Sequence, residues 1–168
     1  TSFTGEDELS VAIDSGSATA GPVDEFGLNN TADALKVDGV AYKFPIGDNL
    51  TAMFADNKDA STMFTVACAY GGPSNTLDDC GTVMAGITGG GVSMGAAYDF
   101  GNGFSTAAGA QFTETGIATD ETNDSYALNA AYSGDNYGVS VTYANVEDGN
   151  DNDTYTALNG YYSFDNGL

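Results

Sequence analysis

Histidine, arginine and tryptophan are absent from this chain, and its basic side chains are limited to Lys36, Lys43 and Lys58. Without histidine, a serine or cysteine nucleophile lacks its usual proton acceptor, so we expect no enzyme and no cofactor. Three lysines against 24 Asp and Glu give a formal net charge of −21. This charge excludes nucleic acid and anionic membrane surfaces as partners, because both require cationic side chains.

Cysteine is also scarce, with only Cys68 and Cys80. A structural metal site needs more ligands than two cysteines, and a thioredoxin-like pair needs the spacing CxxC. We therefore predict a disulfide between Cys68 and Cys80, and with it an oxidising compartment. Closing a loop of this size contributes about 3 kcal/mol to stability.

The chain has no run of about 18 apolar residues, so it contains no transmembrane helix. What it has instead is alternation of period two, the pattern of β-strands. Leu9, Val11 and Ile13 alternate with polar neighbours in a first strand. The apolar phase shifts at Gly39, which predicts a glycine bulge in the second strand. A tight turn over 45–49 leads to a returning strand.

From Gly91 to Leu168 the alternation is continuous, with aromatic residues near the strand ends and small residues between them. Turns near 101–103, 133–136 and 165–167 are short, whereas the connections over 113–124 and 146–153 are longer and acidic. One face of each strand is apolar, and the other is small and polar without charge. A soluble β-sandwich or soluble barrel, the alternative, usually exposes lysine and glutamate there.

These features predict an all-β fold, an antiparallel transmembrane β-barrel of the porin type occupying residues 1–168. In-strand charges face the lumen of such a barrel, because charge on the lipid face costs about 2–4 kcal/mol near mid-membrane. The alternative for each candidate is a position at the rim. The predicted pore-lining residues are Lys36, Asp38, Lys43, Asp99, Gln111, Asn129, Ser140 and Thr142. Residues 56–80 either fold inward and narrow the pore or form a plain surface loop.

A weak calcium candidate lies at Asp148, Asp151 and Asp153, whose carboxylates supply the hard oxygen ligands that Ca²⁺ prefers. The stretch lacks a complete EF-hand loop, and solvated carboxylates that attract divalent ions loosely at an acidic rim are the alternative. We expect no specific metal site here.

The opening TSFTGEDELSVAIDSG resembles the first barrel strand of cyanobacterial outer-membrane porins of the iron-uptake family, which are related to the carbohydrate-selective porins. FPIGDNLTAMFAD and AYDFGNGFSTAAGAQF are similar to later hairpins of that family, and GGPSNTLDDCG resembles its marine picocyanobacterial branch. The resemblance implies the N-terminal part of a barrel of about 16 strands. It also implies a possible homotrimer, and a peptidoglycan-binding domain that is not in this chain.

The function expected from these observations is passive diffusion of inorganic ions and small solutes through the outer membrane. The acidic excess predicts a preference for cations. The alternative function, from a different class, is a secreted or surface-exposed β-rich structural or adhesion protein. A third is a platform whose loops bind a partner.

Overall fold

The computed structural model of the chain describes residues 2–15, 34–67, 91–113, 124–148 and 151–164. They form one antiparallel sheet in which each strand pairs with the next along the chain. The eight strands are β1 (Glu8–Asp14), β2 (Lys36–Ile46), β3 (Leu50–Asp56), β4 (Val92–Asp99), β5 (Phe104–Phe112), β6 (Ser125–Ser133), β7 (Tyr137–Asp148) and β8 (Asp151–Tyr162). Within these ranges β1 and β8 are the two edges, and the sheet is not closed into a barrel.

The expected alternation is confirmed by the strand register. Met94 pairs with Ala110, and Gly95 pairs with Gly109, so successive residues of β4 and β5 point to opposite faces. The all-β, antiparallel part of the predicted fold is therefore confirmed. One 3-10 turn, Ala60–Met63, follows β3. No helix in the described ranges combines the length and the hydropathy needed to span a membrane.

The predicted bulge in β2 is confirmed at Asp38 and Gly39. Ala12 pairs with Gly39, but the next residue of β1, Ile13, pairs with Val37, which leaves Asp38 as the extra residue. A bulge of this kind moves the apolar residues of β2 from one phase to the other. Gly39 is required because a Cβ there would collide with the backbone carbonyl oxygen of Asn57.

The connection between β7 and β8 is shorter than expected, and the prediction of a long acidic loop over 146–153 is wrong. Val146 pairs with Asp153, and Glu147 pairs with Asn152, so the hairpin continues to Asp148 and Asp151. The ladder is built from backbone N–H and C=O groups, which acidic residues also carry. Side-chain polarity therefore misled the sequence interpretation.

The residues before β1 form a tight turn around the buried carboxylate of Asp7. This carboxylate accepts hydrogen bonds from the hydroxyl and N–H of Thr4 (both 2.6 Å), the N–H of Phe3 (3.0 Å) and the hydroxyl of Ser2 (2.8 Å). The Tyr42 hydroxyl on β2 donates a fifth bond at 2.9 Å. These donors, the Thr4 hydroxyl foremost, hold the pKa of Asp7 well below its ordinary value. The turn thus fixes the start of β1 against β2.

Candidate functional site

The two faces of the sheet differ in chemistry. One, the small-residue face, carries short side chains and the in-strand charges of β1 and β2. Its members include Ser10, Ala12, Ala41, Lys43, Met53, Ser93, Gly95, Ala107, Gly109, Asn129, Ser140 and Thr142. The other, the apolar face, carries Val11, Ile13, Phe54, Met94, Leu128, Val139, Val141, Tyr143 and Leu158. Lys43 lies on the small-residue face, whereas Asp56 and Glu147, on the apolar face, lie at the ends of their strands.

The large side chains of the apolar face are exposed. Leu128, in the middle of β6, is 62% exposed, and Leu158 on β8 is 77% exposed. Between the large residues lie alanines, which leave an open groove of about 620 Å³ walled by Phe54, Met94, Tyr126, Leu128 and Tyr143. A soluble monomer rarely exposes a continuous apolar surface across a whole sheet.

Aromatic rings border this face in two rows. At the rim of the short turns, the ring centroids of Phe104 and Tyr132 lie 4.6 Å apart, and Tyr132 is 5.3 Å from Tyr137. At the opposite rim, Phe112 and Tyr126 lie 5.8 Å apart. Phe104 and Phe112 stand eight residues apart on β5, or about 27 Å at 3.4 Å per residue. For a strand tilted by about 35–45°, this length spans about 19–22 Å of height, which is comparable with the lipid-facing band of a membrane barrel, about 25 Å.

The small-residue face is crossed by residues 57–67, which we call the crossing segment. It leaves β3 at Asn57, whose φ of 53° is left-handed, a conformation that asparagine tolerates better than most residues. The Asn57 N–H donates to the Gly91 carbonyl at 2.8 Å, and its side-chain amide donates to the Asp38 carbonyl. These bonds turn the chain back over the sheet rather than away from it.

Two glycines of the sheet leave room for the crossing segment to pack closely against it. Ala60 is fully buried, and a Cβ built on Gly109 would lie 2.9 Å from the Ala60 Cβ. A Cβ on Gly95 would lie 3.0 Å from the Cγ of Met63. The turn packs with alanines of β2, β3 and β5–β7 in the main buried cluster of the described residues. Small side chains on this face therefore bring the segment close to the backbone.

Asn129 on β6 binds the segment most completely. Its Oδ1 accepts the Thr65 N–H at 3.1 Å, and its Nδ2 donates to the Thr65 carbonyl at 3.2 Å. Nδ2 also donates to the Thr142 hydroxyl on β7 at 2.8 Å, which holds the amide in this orientation. Asn129 is 2% exposed, so these bonds are removed from competition with water.

Serine hydroxyls on three other strands extend the attachment. Ser93 on β4 donates to the Lys58 carbonyl, Ser105 on β5 donates to the Thr65 hydroxyl at 3.1 Å, and Ser140 on β7 accepts the Ala67 N–H at 3.0 Å. The segment is thus bound in turn to β4, β5, β6 and β7. Residues 57–67 therefore fold over the small-residue face, and residues 68–80 lie outside the described ranges.

The predicted pore-lining residues divide into two groups. Gln111, Asn129, Ser140 and Thr142 lie on the small-residue face and are buried. Asn129 and Ser140 bind the crossing segment directly, and Thr142 does so through Asn129. Sequence reasoning missed Ser93 and Ser105 as further anchors, since a serine in a polar stripe gives no signal of its partner.

The charged candidates lie apart from the anchors on β4–β7, and only the backbone carbonyl of Asp38 is bonded to the segment, by the Asn57 amide. Lys43 is half-buried on β2, and Lys36 is exposed near the bulge, where Asp38 is the extra residue. Asp99 is exposed at the end of β4, and its carboxylate accepts the Gly101 N–H at 2.8 Å. Asp99 therefore caps the β4–β5 turn at the rim, which is the alternative position considered for it.

The predicted disulfide between Cys68 and Cys80 lies outside the described residues. Of the calcium candidates, Asp153 is exposed on β8, whereas the side chains of Asp148 and Asp151 fall outside the description. Among the described residues, no three His, Cys, Asp or Glu side chains converge as a metal site.

No protein-family model, curated protein or solved structure matches this chain. The two faces of the sheet and the crossing segment are therefore the features that bear on function.

Proposed function

We propose that this chain forms part of the wall of a water-filled outer-membrane β-barrel, through which inorganic ions and small solutes diffuse passively. The observation that carries the proposal is the division of the sheet into an exposed apolar face between two aromatic rows and a small, polar face that carries Lys43. In a membrane barrel the first face meets lipid and the second faces the lumen. The chain then belongs with the outer-membrane porins that its opening residues resemble.

The crossing segment gives the proposed lumen a constriction. It lies on the side of the sheet assigned to the lumen and covers the parts of β4–β7 that carry Asn129 and Ser140. On β2, which also carries Lys43, its hydrogen bond is made at the bulge, from the Asn57 amide to the Asp38 carbonyl. In this proposal water and solutes pass between the segment and the part of the wall that it does not cover, and the segment sets the width of the passage.

We further propose that the channel prefers cations. With 24 acidic residues and three lysines, the chain concentrates cations near its rims and raises their rate of entry. Because this attraction is screened over about 10 Å at 0.1 M salt, the preference weakens as the ionic strength rises.

The proposal is tested by reconstituting the full-length protein into a planar bilayer under a salt gradient. Discrete conductance steps with a reversal potential of cationic sign are expected. A protein that stays soluble without detergent and produces no steps would instead be a surface-exposed or secreted β-rich protein, the other class considered. Conductance steps with a reversal potential of anionic sign would still support a channel, but they would contradict the preference for cations.

A further inference from the structure

Lys43 lies where the small-residue face emerges from beneath the crossing segment. Along β2, the preceding residues of this face, Gly39 and Ala41, are buried. Lys43 itself is half-buried, and the next residue of the face, Pro45, is exposed. A Cβ on Gly39 would lie 3.1 Å from the Cγ of Lys58, so the start of the segment covers this part of the strand. The cover therefore ends at Lys43.

The same transition from covered to uncovered occurs across the strands. Lys43 pairs with Met53 on β3, and Met53 pairs with Gly95 on β4, so the three residues belong to one cross-strand row. Met53 is 1% exposed, and its sulfur accepts a hydrogen bond from the Thr62 hydroxyl of the 3-10 turn at 3.4 Å. On the other side of Lys43 the row ends at Glu8 on β1, which is exposed. Lys43 and Glu8 are thus the members of the row that lie beside the turn rather than beneath it.

This row contains one charge of each sign. It takes one residue from each described strand, β1 to β8 in order: Glu8, Lys43, Met53, Gly95, Gly109, Ala127, Ala144 and Tyr155. The Glu8 carboxylate and the Lys43 ammonium are carried by directly paired residues, whose Cβ atoms lie about 5 Å apart, and they balance each other. The segment itself adds one charge of each sign, at Lys58 and Asp59. The acidic excess of the chain is therefore carried elsewhere.

We propose that Lys43 and Glu8 determine the ion selectivity of the passage, and that Lys43 limits the preference for cations that the acidic rims produce. This inference rests on the proposed channel and names the residues that set its specificity. Channels select among ions through charged side chains at their narrow parts, where an ion cannot avoid the field of a fixed charge. At about 6 Å in water, one unit charge changes the local concentration of a monovalent ion about threefold. Neutralising either residue leaves the other unbalanced.

Asp14 and Lys36 provide a matched control for this pair. They are also a carboxylate and an ammonium on directly paired residues of β1 and β2, on the same face of the sheet. They stand at the other end of the paired region, where β1 ends and β2 begins. A neutral residue at Lys36 changes the net charge by the same amount as one at Lys43. The two substitutions therefore separate the effect of position from the effect of total charge.

The test is the reversal potential of the reconstituted full-length protein in a planar bilayer under a KCl gradient, at salt concentrations near or below about 0.1 M to limit screening. We expect Lys43→Met and Lys43→Gln to raise the ratio of K⁺ to Cl⁻ permeability about threefold or more, and Glu8→Gln to lower it by a similar factor. Lys43→Arg, which keeps the charge, should retain the wild-type ratio. Lys36→Met should change the ratio much less than Lys43→Met.

Because the ratio is measured on open channels, only folded and inserted protein contributes to it. Equal shifts in Lys43→Met and Lys36→Met would overturn the inference, since total charge rather than position would then set the selectivity. A ratio unchanged in the neutral variants of Lys43 and in Glu8→Gln would overturn it as well, while the channel itself would stand. Wild-type protein that gives no conductance steps would contradict the proposed channel, and the inference with it.

Discussion

The side-chain amide of Asn129 makes the pair of hydrogen bonds to Thr65 that the backbone of a neighbouring strand would make. Oδ1 takes the place of a carbonyl and Nδ2 that of an N–H, at 3.1 and 3.2 Å from the Thr65 backbone. An irregular segment is thereby attached to the middle of a sheet with its backbone polar groups satisfied, as burial requires. Asn129 is thus the residue on which the position of the crossing segment depends most.

Replacing Asn129 should release the crossing segment. Asn129→Asp keeps the acceptor but loses the donor, and Asn129→Ala loses both, which leaves Thr65 with buried unpaired groups at a cost of about 1–3 kcal/mol. Trypsin measures the release, because it cuts after lysine and Lys58 is the one lysine in the segment. We expect faster cleavage after Lys58 in both variants, and larger conductance steps in the full-length protein. Asn102→Ala, in the exposed β4–β5 turn, is the control variant. Equal rates of cleavage in Asn129→Asp, Asn129→Ala and Asn102→Ala would contradict the conclusion that Asn129 holds the crossing segment.

The packing of the 3-10 turn against Gly109 should be sensitive to the addition of a single methyl group. Gly109→Ala places a Cβ 2.9 Å from that of Ala60, closer than real Cβ contacts, so the turn must shift. We expect faster cleavage after Lys58 in Gly109→Ala and recovery in the double variant with Ala60→Gly. Ala110→Val, one residue further on the apolar face, tests whether any added bulk in β5 has the same effect. If the double variant does not recover, the contact between these two residues is not the cause.

Two adjacent residues of β1 distinguish lipid from water on the two faces. Val11 is 49% exposed on the apolar face, and Ser10 lies on the small-residue face. In a membrane barrel Val11→Lys should cost about 2–4 kcal/mol and Ser10→Lys much less. Unfolding by urea in lipid vesicles measures the difference. In a soluble β-domain, a lysine at the exposed position 11 would be nearly neutral, and equal stability of the two variants would refute the lipid-facing assignment.

The turn around Asp7 predicts a specific dependence of stability on pH. The pKa of Asp7 is lower in the folded chain than its ordinary value of 3.8, so its contribution to stability is complete above that value. The contribution decreases as the pH falls through and below 3.8, because protonation removes the charge that five donors stabilise. The thermal midpoint of the wild type minus that of Asp7→Asn should therefore shrink on acidification. A difference that stays constant with pH would show that the charge of Asp7 contributes nothing.

The residues that share a face in each strand were predictable from the alternation, and the phase shift at Gly39 located the bulge; the pairing of residues between strands was not predicted. The crossing segment was not predictable in detail. The polar side chains of its anchors Ser93, Ser105 and Asn129 could form hydrogen bonds with water equally well. They bind the segment only because residues 57–67 fold back over the sheet. The acidic residues around the β7–β8 turn led to the wrong prediction of a long loop. Their polar side chains indicate exposure to solvent, but their backbones still pair in the ladder.

The opening residues that carry the family resemblance also acquire a physical role that their pattern did not reveal. Ser2, Phe3 and Thr4 supply four of the donor groups around Asp7, and Gly5 has a φ of 95°, which glycine adopts at little cost. A motif recognised by likeness is thus a turn that positions the first strand. Alternation alone would have started the sheet at Glu8 without it.

The central claim, that one face of the sheet meets lipid and the other meets water, is tested most directly by spin labels on consecutive residues of β1. Labels at Ser10, Val11, Ala12 and Ile13 of the reconstituted full chain report accessibility to oxygen, which partitions into lipid, and to a water-soluble nickel chelate. We expect alternation: high oxygen accessibility at 11 and 13, and high chelate accessibility at 10 and 12. Equal access of the chelate to all four positions would contradict it.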